Sequence, residues 1–268
     1  MIVHKKNITL LMMIFICSFI WIFSYIDIAM LMAMSPLKTT SINKNELREF
    51  IENSKNLHYN IDLYKKFGGN FIKADLSKLN LEAITINKIN LRLADIKESN
   101  LFRSIIKHSK LVKANFLGSS LSKAIISDSN ASFANFSYSD LSKTIITNNN
   151  FKKANFSGAN LTETFINNSD FSYTDLTNTD FSHAVLNNVN LRGSILTNAV
   201  FDYSVLINVY LDGSIIKNSS FKKVTFIGVN FYPSKVIGNI DFYRADIRQS
   251  KISYEILEKS NIDNLIND

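Results

Sequence analysis

LSKTIITNNNFKKANFSGANLTETFINNSD, residues 141–170, holds Leu, Ile, Phe, Phe, Leu and Ile at 141, 146, 151, 156, 161 and 166. The spacing of five extends in both directions. From Phe71 to Phe231 all 33 positions in this register are Phe, Leu or Ile except Ala131. Two residues before most of them stands a short one, as in Ala74, Ala94, Ser104, Ala114, Ser119, Ala134, Ala154, Ala159, Thr174, Ala184 and Ser194. Asp or Asn often lies between the two, as in Ala74-Asp75-Leu76, Ala114-Asn115-Phe116 and Ala159-Asn160-Leu161. A period of five fits neither the 3.6 of a helix nor the 2 of a strand. It marks a stacked repeat, in which each unit buries its apolar side only against its neighbours.

A second period of 20 lies over the first. LSKAIISDSN at 121–130, LSKTIITNNN at 141–150 and LTETFINNSD at 161–170 align residue for residue. Ile86, Ile106, Ile126, Ile146 and Ile166 recur at this interval, followed by Leu186 and Leu206. Another such series runs Leu81, Leu101, Leu121, Leu141, Leu161, Phe181, Phe201 and Phe221. Four units per turn would place residues 20 apart directly above one another. At about 4.8 Å between stacked strands, about eight coils make a rod roughly 40 Å long.

This pattern resembles the pentapeptide-repeat family, whose unit is Ala-(Asp/Asn)-Leu-X-X, over residues 69–252. The resemblance implies an all-β fold: a right-handed quadrilateral parallel β-helix of eight to nine coils. Each five-residue unit would form one side, with the large apolar residue and the short one pointing in. Composition agrees. Within the repeat Pro is confined to Pro233, as a coil backbone that bonds above and below requires. Asn and Asp tolerate corners, and Asn148, Asn168, Asn188 and Asn208 stand 20 apart, ready to form a ladder.

Residues 1–36 and 37–68 precede the repeat. Residues 8–26, ITLLMMIFICSFIWIFSYI, are 19 residues without a charge, enough to cross a hydrocarbon core of about 30 Å. The expectation is an N-terminal transmembrane helix that anchors the chain. A signal sequence removed after secretion is the alternative. Lys5 and Lys6 favour the N-terminus inside and the repeat domain outside the cytoplasm. Cys17 reads as a buried thiol of the membrane helix. In the linker, Asn43 and Glu46 resemble a capping box before Leu47, Phe50 and Ile51, so a short helix over about 44–54 should close the first coil. At the other end Phe242, Ile247 and Ile252 stand one residue out of phase, which places an insertion near Gly238. SYEILEKSNIDNL predicts a C-terminal capping helix over 253–268.

Little in the chain points to catalysis. His4, His58, His108 and His183 have no Cys or carboxylate partner at metal-ligand spacing. No phosphate-cradling glycine loop occurs, and a solid convex rod offers no pocket for an acid/base pair. The expectation is therefore no enzyme, no cofactor, no metal and no small-molecule substrate.

One branch of the family inhibits DNA gyrase by resembling DNA, which needs an acidic rod. This chain carries net +7, with +6 over residues 73–123, −3 over 124–191 and +4 over 192–251. Nucleic acid is thus an unfavoured partner, and no stripe of Lys or Arg interleaved with aromatics stands out. The nearest row is Arg103, Lys123, Lys143, Glu163, His183, Tyr203 and Lys223.

The outward residue before the core residue is usually Asp or Asn, yet on one side it reads Thr85, Ile105, Ile125, Ile145, Phe165, Val185, Val205 and Thr225. Ile195, Val200, Tyr210 and Ile215 extend the apolar character to neighbouring sides. Ile105, Ile125, Ile145, Phe165, Val185 and Val205 form the candidate interaction stripe, for a protein partner or for self-association. β-branched residues also suit strands for their own sake. The expectation is a membrane-anchored structural or protein–protein interaction rod. The alternatives are an inhibitor or protector of a nucleic-acid enzyme such as DNA gyrase, and an exported bacterial effector.

Overall fold

The computed structural model describes residues 42–56, 61–232, 234–258 and 260–266. The expected anchor at 8–26, with Cys17, His4 and the membrane contact assigned to it, lies outside the described residues, as does His58.

From Phe71 onward each unit buries two residues and turns a corner. From Phe71 to Phe231 the large apolar residue is buried, and so, from Ala74 onward, is the residue two before it. Every fifth residue from Lys73 to Gly228, two after the large apolar one, has a left-handed backbone. That conformation is strained for most side chains and mild for Asn and Gly, which accounts for Asn148, Asn168, Asn188 and Asn208 at one corner. Their amides run up it as a ladder: Asn188 Nδ2 donates to Asn168 Oδ1 at 3.1 Å and Asn208 Nδ2 to Asn188 Oδ1 at 3.2 Å.

Backbone pairing follows the period of 20. Thr85–Asn87, Ile105–Lys107, Ile125–Ser127, Ile145–Thr147, Phe165–Asn167, Val185–Asn187, Val205–Ile207, Thr225–Asn230 and Asp246–Lys251 form a parallel nine-stranded sheet on one side. On the opposite side Ile195–Thr197, Ile215–Lys217 and Lys235–Ile237 form a second, three-stranded sheet. Elsewhere single bridges join residues 20 apart, such as Asn115 to Asn135. About nine turns result.

The core is a set of vertical stacks. Phe136 lies parallel to Phe116 at 4.6 Å and to Phe156 at 4.9 Å. Phe181, Phe201 and Phe221 stack at 4.7 and 5.0 Å. Ala131, the one break in the large series, is fully buried. Phe136 on the next side and Phe151 one coil on meet edge to face at 5.6 Å, so large rings stand beside the small residue.

The N-terminal end is closed by helix Lys44–Asn56. The Asn43 side chain accepts from Asn45 N–H at 2.9 Å, and Leu47 and Ile51 are buried against the first coils. Lys44 Nζ reaches Asp75 at 2.9 Å and Ser77 Oγ at 2.9 Å. Hydrogen bonding from the Ser77 hydroxyl first, and then Lys44, lowers the Asp75 pKa to about 2. A second helix, Leu63–Phe67, was not expected. The Asp62 side chain caps it by accepting from Tyr64 N–H at 3.0 Å, and Phe67 meets Phe50 edge to face at 5.3 Å.

The slip near Gly238 appears as a change of pairing interval. Lys235 pairs with Ile215, 20 residues back, whereas Asp241 bridges to Ser220, 21 back, and Phe242 stacks on Phe221 at 5.4 Å. The expected helix over 253–268 is corrected: among the described residues of that span only Tyr254–Glu258 is helical. Ser260–Asn261 pairs with Ile240–Asp241, and Ile266 bridges to Asp246. The reason is that Asn261 re-enters the repeat. Its Nδ2 donates to Asp241 Oδ1 at 3.0 Å, its Oδ1 accepts from Asp263 N–H at 3.2 Å, and Asn264 takes the left-handed corner.

Candidate interaction surface

Three sides of the coil share one corner device. The Asp or Asn before the core residue accepts a hydrogen bond from the N–H two positions on. Asn135 Oδ1 takes Ser137 N–H at 3.1 Å, Asn150 takes Lys152 at 2.9 Å and Asp180 takes Ser182 at 2.8 Å. This Asx turn satisfies a donor that the corner would otherwise leave free.

On the nine-stranded face the chain stays extended one residue longer, and residues such as Asn87, Lys107 and Ser127 pair in register between coils. Only in the last strand of this face, where the register shifts, does an Asp stand in the column: Asp246 accepts from Arg248 N–H at 3.2 Å. The opposite face switches in the same way. Asp175 still accepts from Thr177 N–H at 3.0 Å. One coil later Ile195 takes its place and a strand begins, repeated at Ile215 and Lys235. Part of the loss of Asp and Asn is therefore a backbone effect.

The choice of apolar residues is a further step. Thr85 and Thr225 show that a β-branched polar residue fits the column, and it is the ends that use it. Between them Ile105, Ile125, Ile145, Phe165, Val185 and Val205 stand one above another, paired Cα to Cα. Ile125, Ile145 and Phe165 are exposed at 39, 44 and 43%; Phe165 is not β-branched. The adjacent outward column is short and polar at Ser127, Thr147, Asn167 and Asn187, with Asn187 Nδ2 donating to Asn167 Oδ1 at 3.1 Å. One flank is the Asn corner. There the Asn148 amide, followed by the Ser127 side chain and His108, lowers the Asp128 pKa. The other flank carries Lys123, Lys143 and Glu163, the last two paired at 3.3 Å.

Of the other expected apolar positions, Tyr210 lies beneath the Arg192 guanidinium at 4.3 Å, and Val200 bridges Asp180 and Ser220. In the row Arg103 to Lys223, His183 stacks on Tyr203 at 4.9 Å and Lys223 Nζ lies 4.7 Å from that ring. A cleft of about 450 Å³ between the first helix and the first coils is lined by Arg48, Ile51, Glu52, Lys78, Leu79 and Asn80. It gathers one carboxylate and two cations and no nucleophile. Among the described residues no group of three or more His, Cys, Asp or Glu side chains could hold a metal.

The described fold is a right-handed quadrilateral parallel β-helix, and its outward columns define a repeat scaffold rather than a cleft. The family model described as pentapeptide repeats matches in eight copies, over residues 124–166 and 166–202. Residues 124–202 are thus pentapeptide repeats, and the described coils on either side keep the same period of five. HetL, a pentapeptide repeat protein involved in heterocyst differentiation regulation from the cyanobacterium Nostoc sp. strain PCC 7120, is similar in structure at 16% identity and TM-score 0.40. The match covers 74% of this chain and 82% of HetL. QnrB1, a plasmid-mediated fluoroquinolone resistance protein, is similar at 14% identity and TM-score 0.47, over 69% of this chain and 92% of its own. No curated protein matches by sequence.

Proposed function

We propose that the chain is a non-enzymatic, membrane-anchored interaction rod whose nine-stranded face pairs with the same face of a second copy. One observation carries this reading: the exposed column is apolar in its middle coils, where Thr at its two ends shows that the strand does not require it. The second copy is the favoured occupant because its ladder has the same pitch of about 4.8 Å. Side chains can then interdigitate over several coils, which a surface of another period does only locally. A two-fold axis through Ile145, along the strand direction, sets Ile125 against Phe165 of the other copy and Lys123 against its Glu163. Such an isologous contact closes on itself as a dimer.

The test is the mass of the full chain in detergent by light scattering. The wild type is expected to be dimeric, and Ile125→Asn/Ile145→Asn/Phe165→Asn monomeric with an unchanged circular dichroism spectrum. A monomeric wild type, or a triple variant that stays dimeric, would sink this reading; a wild type seen only in a complex with another protein would transfer the face to that partner.

Anchoring rests on residues 8–26, whose uncharged length suits a bilayer, and the placement of the repeat domain outside the cytoplasm rests on Lys5 and Lys6. A reporter fused after Asp268 that is active only outside the cytoplasm is the expected result. Activity in the cytoplasm would reverse the orientation and restore a cytosolic nucleic-acid enzyme as a possible target.

A further inference from the structure

A different corner carries a pattern that the linear sequence conceals. Six successive coils place Lys73, Leu93, Lys113, Phe133, Lys153 and Tyr173 directly in line, a strict alternation of cation and apolar side chain. All six are exposed, with Leu93, Phe133 and Tyr173 at 39, 50 and 58%. All six also have positive φ, between 56° and 61°. Bulky residues are strained in that conformation, and here the exposed ones gain little burial in return. The next two coils fill the same corner with Gly193 and Gly213, the residue that relieves the strain.

The side chains of the ridge organise one another. Lys113 and Lys153 hold their ammonium groups 6.0 and 5.5 Å from the Phe133 ring centre, and Lys152 lies 5.6 Å from that of Tyr173. The Tyr173 ring lies against Gly193, where an added Cβ would come within 2.7 Å of it. Arg92 and Lys152, one residue back along the chain, widen the band of positive charge. The acids nearby are already engaged. Asp75 pairs with Lys44, Asp95 with Lys97 at 3.3 Å and Asp212 with Arg192. Asp170 and Asp175, beside Tyr173, accept from the N–H groups of their own corners.

A convex ridge has no groove in which to enclose a nucleic-acid strand between stacking platforms. A flat anionic surface, in contrast, touches every side chain of a straight edge about 24 Å long at once. Aromatic and Lys side chains alternating at such an edge match the two layers of a bilayer interface: rings at headgroup depth, ammonium groups among the phosphates. We propose that this ridge seats the repeat domain on an anionic bilayer surface. The ridge lies on a corner away from the nine-stranded face and does not depend on the dimer proposed above.

The test uses the full chain with Cys17→Ser, reconstituted in vesicles, with a polarity-sensitive fluorophore on Ser132→Cys beside Phe133 or on Ser142→Cys at another corner. With phosphatidylcholine containing about one third phosphatidylglycerol, a blue shift is expected at position 132 alone. It should vanish in phosphatidylcholine alone and in high salt. Adding Lys113→Glu and Lys153→Glu should weaken the anionic-vesicle response roughly 30-fold or more, from about fivefold per removed cation. The pair Lys113→Ala and Lys153→Ala, at exposed corner positions, gives the same readout without the introduced acids. An equal shift at both positions, a shift in neutral vesicles, or an undiminished response in both variants would overturn the proposal. A shift produced by single-stranded polyuridylate in the absence of lipid would assign the ridge to nucleic acid instead.

Discussion

Phe136→Ala should lower the unfolding free energy by about 3–5 kcal/mol, read as a drop in denaturant midpoint at unchanged slope. Phe136 is fully buried, parallel to Phe116 and Phe156 and edge-on to Phe151. Its removal leaves a cavity that the walls cannot close. The coils above and below are fixed by ladder bonds, among them Phe116 N–H to Asn135 O and Phe136 N–H to Asn155 O, both 2.7 Å. Each coil also touches only its neighbours, so distant packing supplies no compensation. A loss under about 1 kcal/mol, below the range for such truncations, would mean that the stack collapses onto the gap and that the ladder is softer than these bonds imply.

Asn149→Ala should cost about 1–3 kcal/mol and Asn149→Ser much less, because the damage is an orphaned donor and not lost volume. Asn149 is buried inside the coil. Its Oδ1 accepts from Ser129 N–H at 2.9 Å, and its Nδ2 donates to Ile126 O at 2.8 Å and Thr147 O at 2.9 Å. Coils on either side use Ser for the same purpose: Ser109 N–H donates to Ser129 Oγ at 3.0 Å and Asn149 N–H to Ser169 Oγ at 3.1 Å. Amide exchange supplies the second readout. In Asn149→Ala the Ser129 amide should lose protection before its neighbours do. If Ala and Ser variants proved equally stable, the buried polar column would be a filler of small volume only.

That column shows where sequence reading stops. The spacing of Phe, Leu and Ile tells which residues enter the core, and the interval of 20 tells which stack, because both follow from side-chain periodicity alone. Ser129 and Asn149 occupy the same slots as Ala114 and Ala134, and alternation cannot distinguish a slot that must supply a hydrogen-bond acceptor from one that need only be small. The apolar column at Ile105–Val205 was visible as a departure from Asp and Asn. Its link to corner type was not, since that link is a backbone property, exposed by the joint change at Ile195. Asn261-Ile262-Asp263-Asn264-Leu265 reads as the end of a helix in a single register. It becomes a repeat unit only after the extra residue near Gly238 shifts the phase. The ridge was missed for a related reason: its corner cations, Lys73, Lys113 and Lys153, each stand two full coils from the next.

The unbroken sequence of left-handed corners, one every fifth residue from Lys73 to Gly228, has a consequence for how such a chain can change over generations. A duplication or loss of one whole coil keeps every side chain on its original side and changes only the number of turns. A change of five residues keeps the inside in but moves everything downstream by one side, scrambling the apolar column and the ridge together. A length that is not a multiple of five turns the interior outward. The gene is therefore free to vary in steps of a turn and is nearly fixed at finer grain, and the single extra residue near Gly238 sits beyond the last coils of both surfaces, where a slip disturbs neither.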